Sequence, residues 1–356
     1  MKVAPKRILV FHTAFIGDIV LALPIVQLLR EASPRADITF VTIPTAAAIL
    51  ENHAAIYEVI SYDKRGNDAG VSGMLRLAKR LRSENFEVAV VPHRSFRSAT
   101  IVWLARIPRR IGFSTSAAPW LFTDIVKYDK NRHEIDRNLS LLQPLGLAYT
   151  GNELPTLYPS TDDIRVVDRL LFLRERNNPL FRQGNLVGLA PGSVWNTKRW
   201  PREHFIELGK MITADGCALI LIGGAGDTEL CEKIERMIGS NNVMNAAGKL
   251  TLLQSADLIR RCSVLVSNDS APMHLAVGVR TPVVALFGAT VPTFGFAPRG
   301  KNDVVVGTQG LSCRPCSIHG GDLCPIETFV CMKELKPELV YTKVKAVLDS
   351  VKLETR

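Results

Sequence analysis

Two turns in the second half of the chain carry residues suited to holding a phosphate. In "VSNDSAPMH" (266–274) an apolar run ends in Asn268, Asp269 and Ser270, and an apolar helical pattern starts at Ala271. Such residues cap a helix by accepting from its free N–H groups. The same N–H groups and the helix dipole attract an anion, so both readings stand at this turn. His274, one turn further on, is either a ligand contact or a packed side chain. In "APGSVWNTKRWP" (190–201), Gly192 permits close backbone approach, Ser193 and Thr197 bring hydroxyls, and Lys198 brings a point charge. That set neutralises a phosphate without a metal, and it is not a Walker loop, because the spacing G-x-x-x-x-G-K-[ST] is missing. "IGGAGDTEL" (222–230) reads G-x-G-x-x-E from Gly224, with Glu229 where a dinucleotide fingerprint has its third glycine. Glu229 either accepts from ribose hydroxyls or is a solvated acid in a first helical turn.

The first half has turns of its own. "HTAFIGDIVLALP" (12–24) places His12 and Thr13 after a strand, Gly17 at a tight turn, and Asp18 at a helix start. Asp18 is a cap on one reading. Facing an electrophilic carbon, it is a general base for an attacking hydroxyl. "PHRSFRS" (92–98) ends a later strand with His93, Arg94 and Arg97, apt for an anionic acceptor. Thr13 and Gly17 complete that acceptor-side set, and Lys64-Arg65 and Arg132-His133 either add to it or are solvated surface.

Near the C-terminus, "CRPCSIHGGDLCPIETFVC" places Cys313, Cys316, Cys324 and Cys331 at C-x2-C-x7-C-x6-C spacing. That spacing fits a structural zinc, two disulfides, or plain free thiols. Cys217, Cys231 and Cys262 sit in apolar surroundings and read as buried structural thiols.

The elements that must position these residues alternate. "RILVFH" (7–12), "ADITFVTI" (36–43) and "FEVAVVP" (86–92) read as strands, with helices over 17–31, 71–83 and 95–105. "NLVGLAPGS" (185–193), "CALILIGG" (217–224), "CSVLVSND" and "PVVALFG" (282–288) repeat the pattern, with helices over 201–216, 227–238, 251–261 and near 336–352. Unbroken Val/Ile/Leu strands separated by helices predict parallel sheets covered on both faces. With 356 residues, the chain suits two domains of ~150 residues each. "ELPTLYPSTDD" (153–163) is the natural linker. The fold class is therefore α/β, with two Rossmann-like doubly wound domains facing a cleft. Residues 1–160 are expected to form an acceptor-binding domain and 161–335 a donor-binding domain carrying the Cys-rich loop 313–331. The helix 336–356 is expected to pack back on the first domain.

A chain 47% hydrophobic and 22% charged is globular and neither disordered nor fibrous. Its net charge of +10 favours an anionic partner. No aromatic-interleaved basic tract points to nucleic acid. The N-terminal apolar run is broken by His12 and Asp18, unlike a signal peptide, and Ile19–Leu29 is too short to span a membrane. The expected place is the cytoplasm, with peripheral contact at the inner membrane surface.

Taken together, Gly17–Pro24, "HRSFRSA", "RIGF" (110–113), "PGSVWNTKRWP", "LIGG", "NAAGKLTL" and "VSNDSAPMHLAVGVRTPVVALFGAT" occur in an order that resembles glycosyltransferase family nine. Those are the ADP-heptose:lipopolysaccharide heptosyltransferases, here of the heptosyltransferase II type. The resemblance runs nearly end to end. It implies the two-domain GT-B fold and inverting transfer of heptose from ADP-heptose to the lipid A–Kdo inner core, with no cofactor required for catalysis. It implies Asp18 as catalytic base. It implies Ser193, Thr197 and Lys198 as the pyrophosphate loop, with Lys198 also offsetting charge on departing ADP. Asp269, Ser270 and the Ala271 amide match the second donor motif; the family usually has glycine where this chain has Ala271. No catalytic role falls to the cysteines. Another nucleotide sugar or acceptor on the same fold, a non-catalytic nucleotide-binding module, and a nicotinamide oxidoreductase are the alternatives.

Overall fold

The computed structural model describes residues 5–182 and 186–354. Asn185 at the head of one expected strand, and residues 355–356 of the expected closing helix, lie outside the described residues. The chain divides into two compact units, residues 1–158 and 159–356.

In the first unit, β1 (Arg7–Phe11), β2 (Asp37–Thr42), β3 (Glu58–Ser61), β4 (Val88–Val91), β5 (Arg109–Phe113) and β6 (Asp124–Val126) form one sheet in the order β3-β2-β1-β4-β5-β6. Every pairing is parallel. Ile8, Leu9, Val10 and Phe11 are fully buried, because helices cover both faces of the sheet. Leu77, Ala78 and Leu81 of helix Gly70–Ser83 join Ala99 and Val102 of helix Phe96–Leu104 against Leu9, Phe11 and Val91.

The second unit repeats that order. Its strands are β7 (Leu186–Ala190), β8 (Ala218–Leu221), β9 (Val243–Asn245), β10 (Val264–Asn268), β11 (Val283–Leu286) and β12 (Val304–Val306). They run β12-β11-β10-β7-β8-β9, again all parallel. The closing helix Pro337–Glu354 belongs to the second unit. Its Val340, Val344, Val347 and Leu348 enter the core of the second unit, where the helix packs on helix Arg202–Ala214 and strands β10 and β11.

In each sheet the strand order reverses once, between β1 and β4 and between β7 and β10. Ligands of open α/β sheets bind beyond the carboxyl ends of the strands at such a reversal. The turns after those four strands are "HTAFIGD", "PHRSFRS", "PGSVWNTKRW" and "DSAPMH", the segments singled out by their chemistry. Among the described residues no helix is long and apolar enough to cross a membrane.

Candidate active site

The downstream turns are joined by one side chain. Asn268 ends β10, buried completely, and its Oδ1 accepts from the Trp200 N–H at 3.1 Å while its Nδ2 donates to the Pro191 carbonyl at 2.8 Å. Trp200 is itself fixed: its indole N–H donates to the Leu335 carbonyl at 2.8 Å, and its ring meets Phe205 edge-on. Truncating such a buried indole costs about 3–5 kcal/mol, so the loop from Gly192 to Arg199 is pinned at both ends.

Within that frame Lys198 Nζ lies 2.7 Å from Asp269 Oδ2, with the two side chains 13% and 7% exposed. The same carboxylate oxygen accepts from the Thr290 hydroxyl at 2.7 Å. Ser270 Oγ donates to the Gly192 and Asn268 carbonyls, both at 3.3 Å. Helix Ala271–Gly278 starts at Ser270 with no side-chain cap. The capping reading of this turn is therefore not what the structure has: Asp269 turns to Lys198 and Ser270 to Gly192. Pro272 has no N–H and the Met273 N–H donates to the Ser270 carbonyl at 3.1 Å, so the Ala271 N–H is the leading donor without a side-chain cap, a group an anion can meet.

Gly192 has a steric reason to be glycine. A Cβ there would lie 2.2 Å from Asp227 Oδ1, and Asp227 in turn accepts from the Gly224 N–H at 2.9 Å. Ser193 is half-buried, and its carbonyl accepts from Arg199 Nε at 2.8 Å. Thr197 is buried and already engaged by Gly321, whose N–H donates to its hydroxyl. His274 is buried in its helix. Glu229 stands apart from this group: it is exposed and pairs with Lys233 one helical turn on, and that hydrogen bond lowers its carboxyl below the usual range. That is the solvated first-turn acid.

In the upstream unit, Asp18 is half-buried and accepts from the Phe15 N–H at 3.2 Å, capping helix Ile16–Ala32 from its third position. The cap fixes the carboxylate beside the turn that carries Thr13. Thr13 Oγ1 meets His93 Nδ1 at 3.0 Å, and Ser98 Oγ meets the same nitrogen at 2.9 Å. Lys64 Nζ donates to the Thr13 carbonyl and Arg97 to the Lys64 carbonyl at 3.0 Å. Burial first, then the Lys64 and Arg94 cations, brings His93 down to about 4. His12 is pushed well below its ordinary value by burial and by the same neighbourhood. Burial, with Arg65 and Arg97 beside it, lowers the Lys64 ammonium. The surroundings are short of negative charge, as an anion site is before its ligand arrives.

Arg94 is exposed and lies over the Tyr128 ring at 4.4 Å, with Arg137 over the same ring at 5.1 Å. Arg137 is held by the buried Glu134 at 2.6 Å. Tyr128 is a site-building residue that sequence reasoning missed, because it sits in no motif and acts through Arg94 and Arg137. Asn268, read from sequence as a cap, instead clamps the two turns through Trp200 and Pro191. Gly17 belongs to the first turn of helix Ile16–Ala32.

The Cys-rich loop has one of the three states its spacing allows. Cys313, Cys316, Cys324 and Cys331 are free thiols, and among the described residues no group of three or more His, Cys, Asp or Glu is placed to hold a metal.

Residues 74–322 match the model of glycosyltransferase family 9 (heptosyltransferase). The lipopolysaccharide heptosyltransferase 2 of Salmonella typhimurium is 28% identical over 296 residues, 81% of this chain and 84% of that protein. The lipooligosaccharide heptosyltransferase 2 of Haemophilus influenzae is 27% identical over 303 residues, 81% of this chain and 85% of that protein. Among solved structures, a family 9 glycosyltransferase from Veillonella parvula superposes with a TM-score of 0.86 at 24% identity, covering 97% of this chain and 98% of that one. The E. coli ADP-heptose lps heptosyltransferase II gives 0.78 at 24% identity, covering 97% and 99%. The architecture is that of these proteins, two parallel six-stranded α/β sheets of the GT-B kind. By the family model, which spans well over half of its length, the chain is a glycosyltransferase and belongs to family 9, the heptosyltransferases.

Proposed function

We propose that this protein is an inverting heptosyltransferase. It moves heptose from ADP-L-glycero-β-D-manno-heptose onto the inner core of lipopolysaccharide, with lipid A–Kdo inner core as acceptor. The buried Lys198–Asp269 pair at the strand reversal of the second sheet carries the reading. A lysine held by a carboxylate beside an uncapped helix start is a ready partner for a diphosphate. The names of the relatives, lipopolysaccharide and lipooligosaccharide heptosyltransferase 2, supply the sugar and the acceptor class.

Asp18 takes the proton of the acceptor hydroxyl as that oxygen bonds to the anomeric carbon. The bond from that carbon to the diphosphate breaks, and its electron pair leaves on ADP. A single displacement inverts the centre. Lys198 and the main-chain N–H groups around Ser193 and Ala271 meet the charge that grows on the leaving group, which is the interaction that lowers the barrier. His93, Lys64, Arg94 and Arg97 receive the anionic groups of the acceptor. No metal takes part in any step.

The acceptor is lipid-anchored, and one stretch of the chain suits its surroundings. Residues 64–110 hold eleven Lys and Arg against three Asp and Glu, a net +8 out of the chain's +10. Exposed Val71, Leu75, Phe96, Trp103 and Trp120 accompany them, on helices Gly70–Ser83 and Phe96–Leu104 and the adjoining turn, which pack together. Basic residues beside exposed tryptophan suit an anionic lipid surface. This supports a cytoplasmic enzyme working at the inner membrane face. The direct test incubates the protein with ADP-heptose and a lipopolysaccharide truncated within its inner core. One heptose added by mass, with ADP released, is the expected result. Transfer only from another nucleotide sugar, or none, would overturn the reading.

A further inference from the structure

The Cys-rich loop reaches the turn that carries Lys198 and, at its other end, the Thr290 that hydrogen-bonds Asp269. At one end, the Thr197 N–H donates to the Gly321 carbonyl at 2.9 Å, and the Gly321 N–H donates back to Thr197 Oγ1 at 2.8 Å. Asn196 Nδ2 donates to the Asp322 carbonyl at 3.1 Å. Gly320 lies beside the lysine stem. Its φ is +86°, and a Cβ there would lie 3.1 Å from Lys198 Cγ and 3.3 Å from Trp195 Cβ. At the other end, the Cys316 N–H donates to the Ala289 carbonyl at 2.9 Å. Arg314 donates to the carbonyls of Thr290 at 2.8 Å, Phe287 at 3.1 Å and Thr308. Thr290 is the residue whose hydroxyl donates to Asp269.

We propose that segment 314–321 is a strap that sets the position of Lys198, with Arg314 and Gly320 as positioning residues for the donor diphosphate. A lysine ammonium rides on a flexible four-carbon stem, so its charge is well placed only if stem and head are both confined. Gly320 confines the stem from one side. Arg314 fixes the main chain of Thr290, the Thr290 hydroxyl orients the Asp269 carboxylate, and the carboxylate holds the ammonium. A guanidinium suits the Arg314 position because it spreads donors over a rigid plane and reaches three carbonyls at once; a lysine there offers one point. The long sequence separation of the strap from residues 195–198 is bridged by one main-chain hydrogen bond, Thr197 N–H to the Gly321 carbonyl, and by two that join main chain to the Thr197 and Asn196 side chains.

The inference rests on the reading of Lys198 as a diphosphate partner, and a double-mutant cycle separates the two. ADP affinity is measured by calorimetry for the full-length protein, for Arg314→Lys, Gly320→Ala and Thr290→Val, and for each of these in a Lys198→Met background. Each single strap variant is expected to weaken ADP by about fivefold or more, and to weaken it by less than about twofold once Lys198 is gone, because residues in one network are not additive. Thr290→Val keeps the side-chain shape and carries the test if the strained Gly320→Ala fails to fold. Equal losses with and without Lys198, or unchanged ADP affinity in folded strap variants, would overturn the strap. Unchanged affinity in Lys198→Met alone would instead overturn the donor reading.

Discussion

Lys198 Nζ and Asp269 Oδ2 stand 2.7 Å apart, on turns seventy-one residues apart in sequence and both nearly out of solvent. Removing either partner leaves a buried charge, at roughly 3 kcal/mol of stability. The two losses answer ADP differently. In Asp269→Asn the lysine survives but loses the carboxylate that places it, so ADP still raises Tm, by less than in the parent protein. In Lys198→Met a carboxylate faces the diphosphate, and the ADP-induced rise in Tm should be smaller still, with the main-chain N–H contacts left to hold the ligand. Equal responses from the two variants would remove Lys198 from the donor site.

His93 gives a pH signature. Its folded value of about 4 lies below its ordinary 6.5, so the unfolded chain takes up the proton first as pH falls. Stability from this group is complete above about 6.5 and is lost on descending to about 4, by up to roughly 3 kcal/mol. His93→Gln should flatten that part of the urea-unfolding profile. An anionic acceptor bound beside it should also raise the His93 value, visible by NMR titration. A value unmoved by acceptor would place the acceptor elsewhere.

Gly192→Ala drives a methyl into the Asp227 carboxylate. Overpacking of this kind costs about 1–3 kcal/mol, and Asp227 must release the Gly224 N–H. The double variant Gly192→Ala/Asp227→Ala should be less destabilised than the sum of its parts. Strict additivity in thermal melts would deny the contact.

The basic stretch makes a salt-dependent prediction. The protein should sediment with vesicles containing phosphatidylglycerol and leave them as ionic strength rises. Lys79→Ser and Arg82→Ser, both at exposed positions of helix Gly70–Ser83, should each weaken the binding by about 1 kcal/mol. Binding equal on neutral vesicles would refute the charge argument.

What the sequence reveals follows from how locally each feature is encoded. β1, β2, β4, β7, β8, β10 and β11 are apolar runs buried on both faces, and each is readable from its own residues. β3, β6, β9 and β12 are three or four residues long and lie at the sheet edges, where partial exposure dilutes the apolar pattern. β5 begins with Arg109-Arg110, whose charges hide it. Helix Thr161–Glu175 falls partly in the stretch read as linker, because the Ser160–Asp163 capping box that starts it shares residue types with turns. The turns at the two strand reversals are legible because hydroxyls, a lysine and an aspartate gather there with a glycine, a phosphate-holding set that single turn residues do not make. The Asp269–Lys198 pair, the Asn268 clamp and the grip of Gly321 on Thr197 join segments 68 to 124 residues apart, and no local pattern encodes them.

The account stands most directly on Asp18. Single-turnover transfer from ADP-heptose to a truncated lipopolysaccharide is measured for the parent protein and for Asp18→Asn, with ADP affinity determined on the same samples. Asp18→Asn should bind ADP within about twofold of the parent and transfer heptose at least ~10²-fold more slowly, as loss of a general base demands. Transfer at the parental rate with ADP still bound would contradict it.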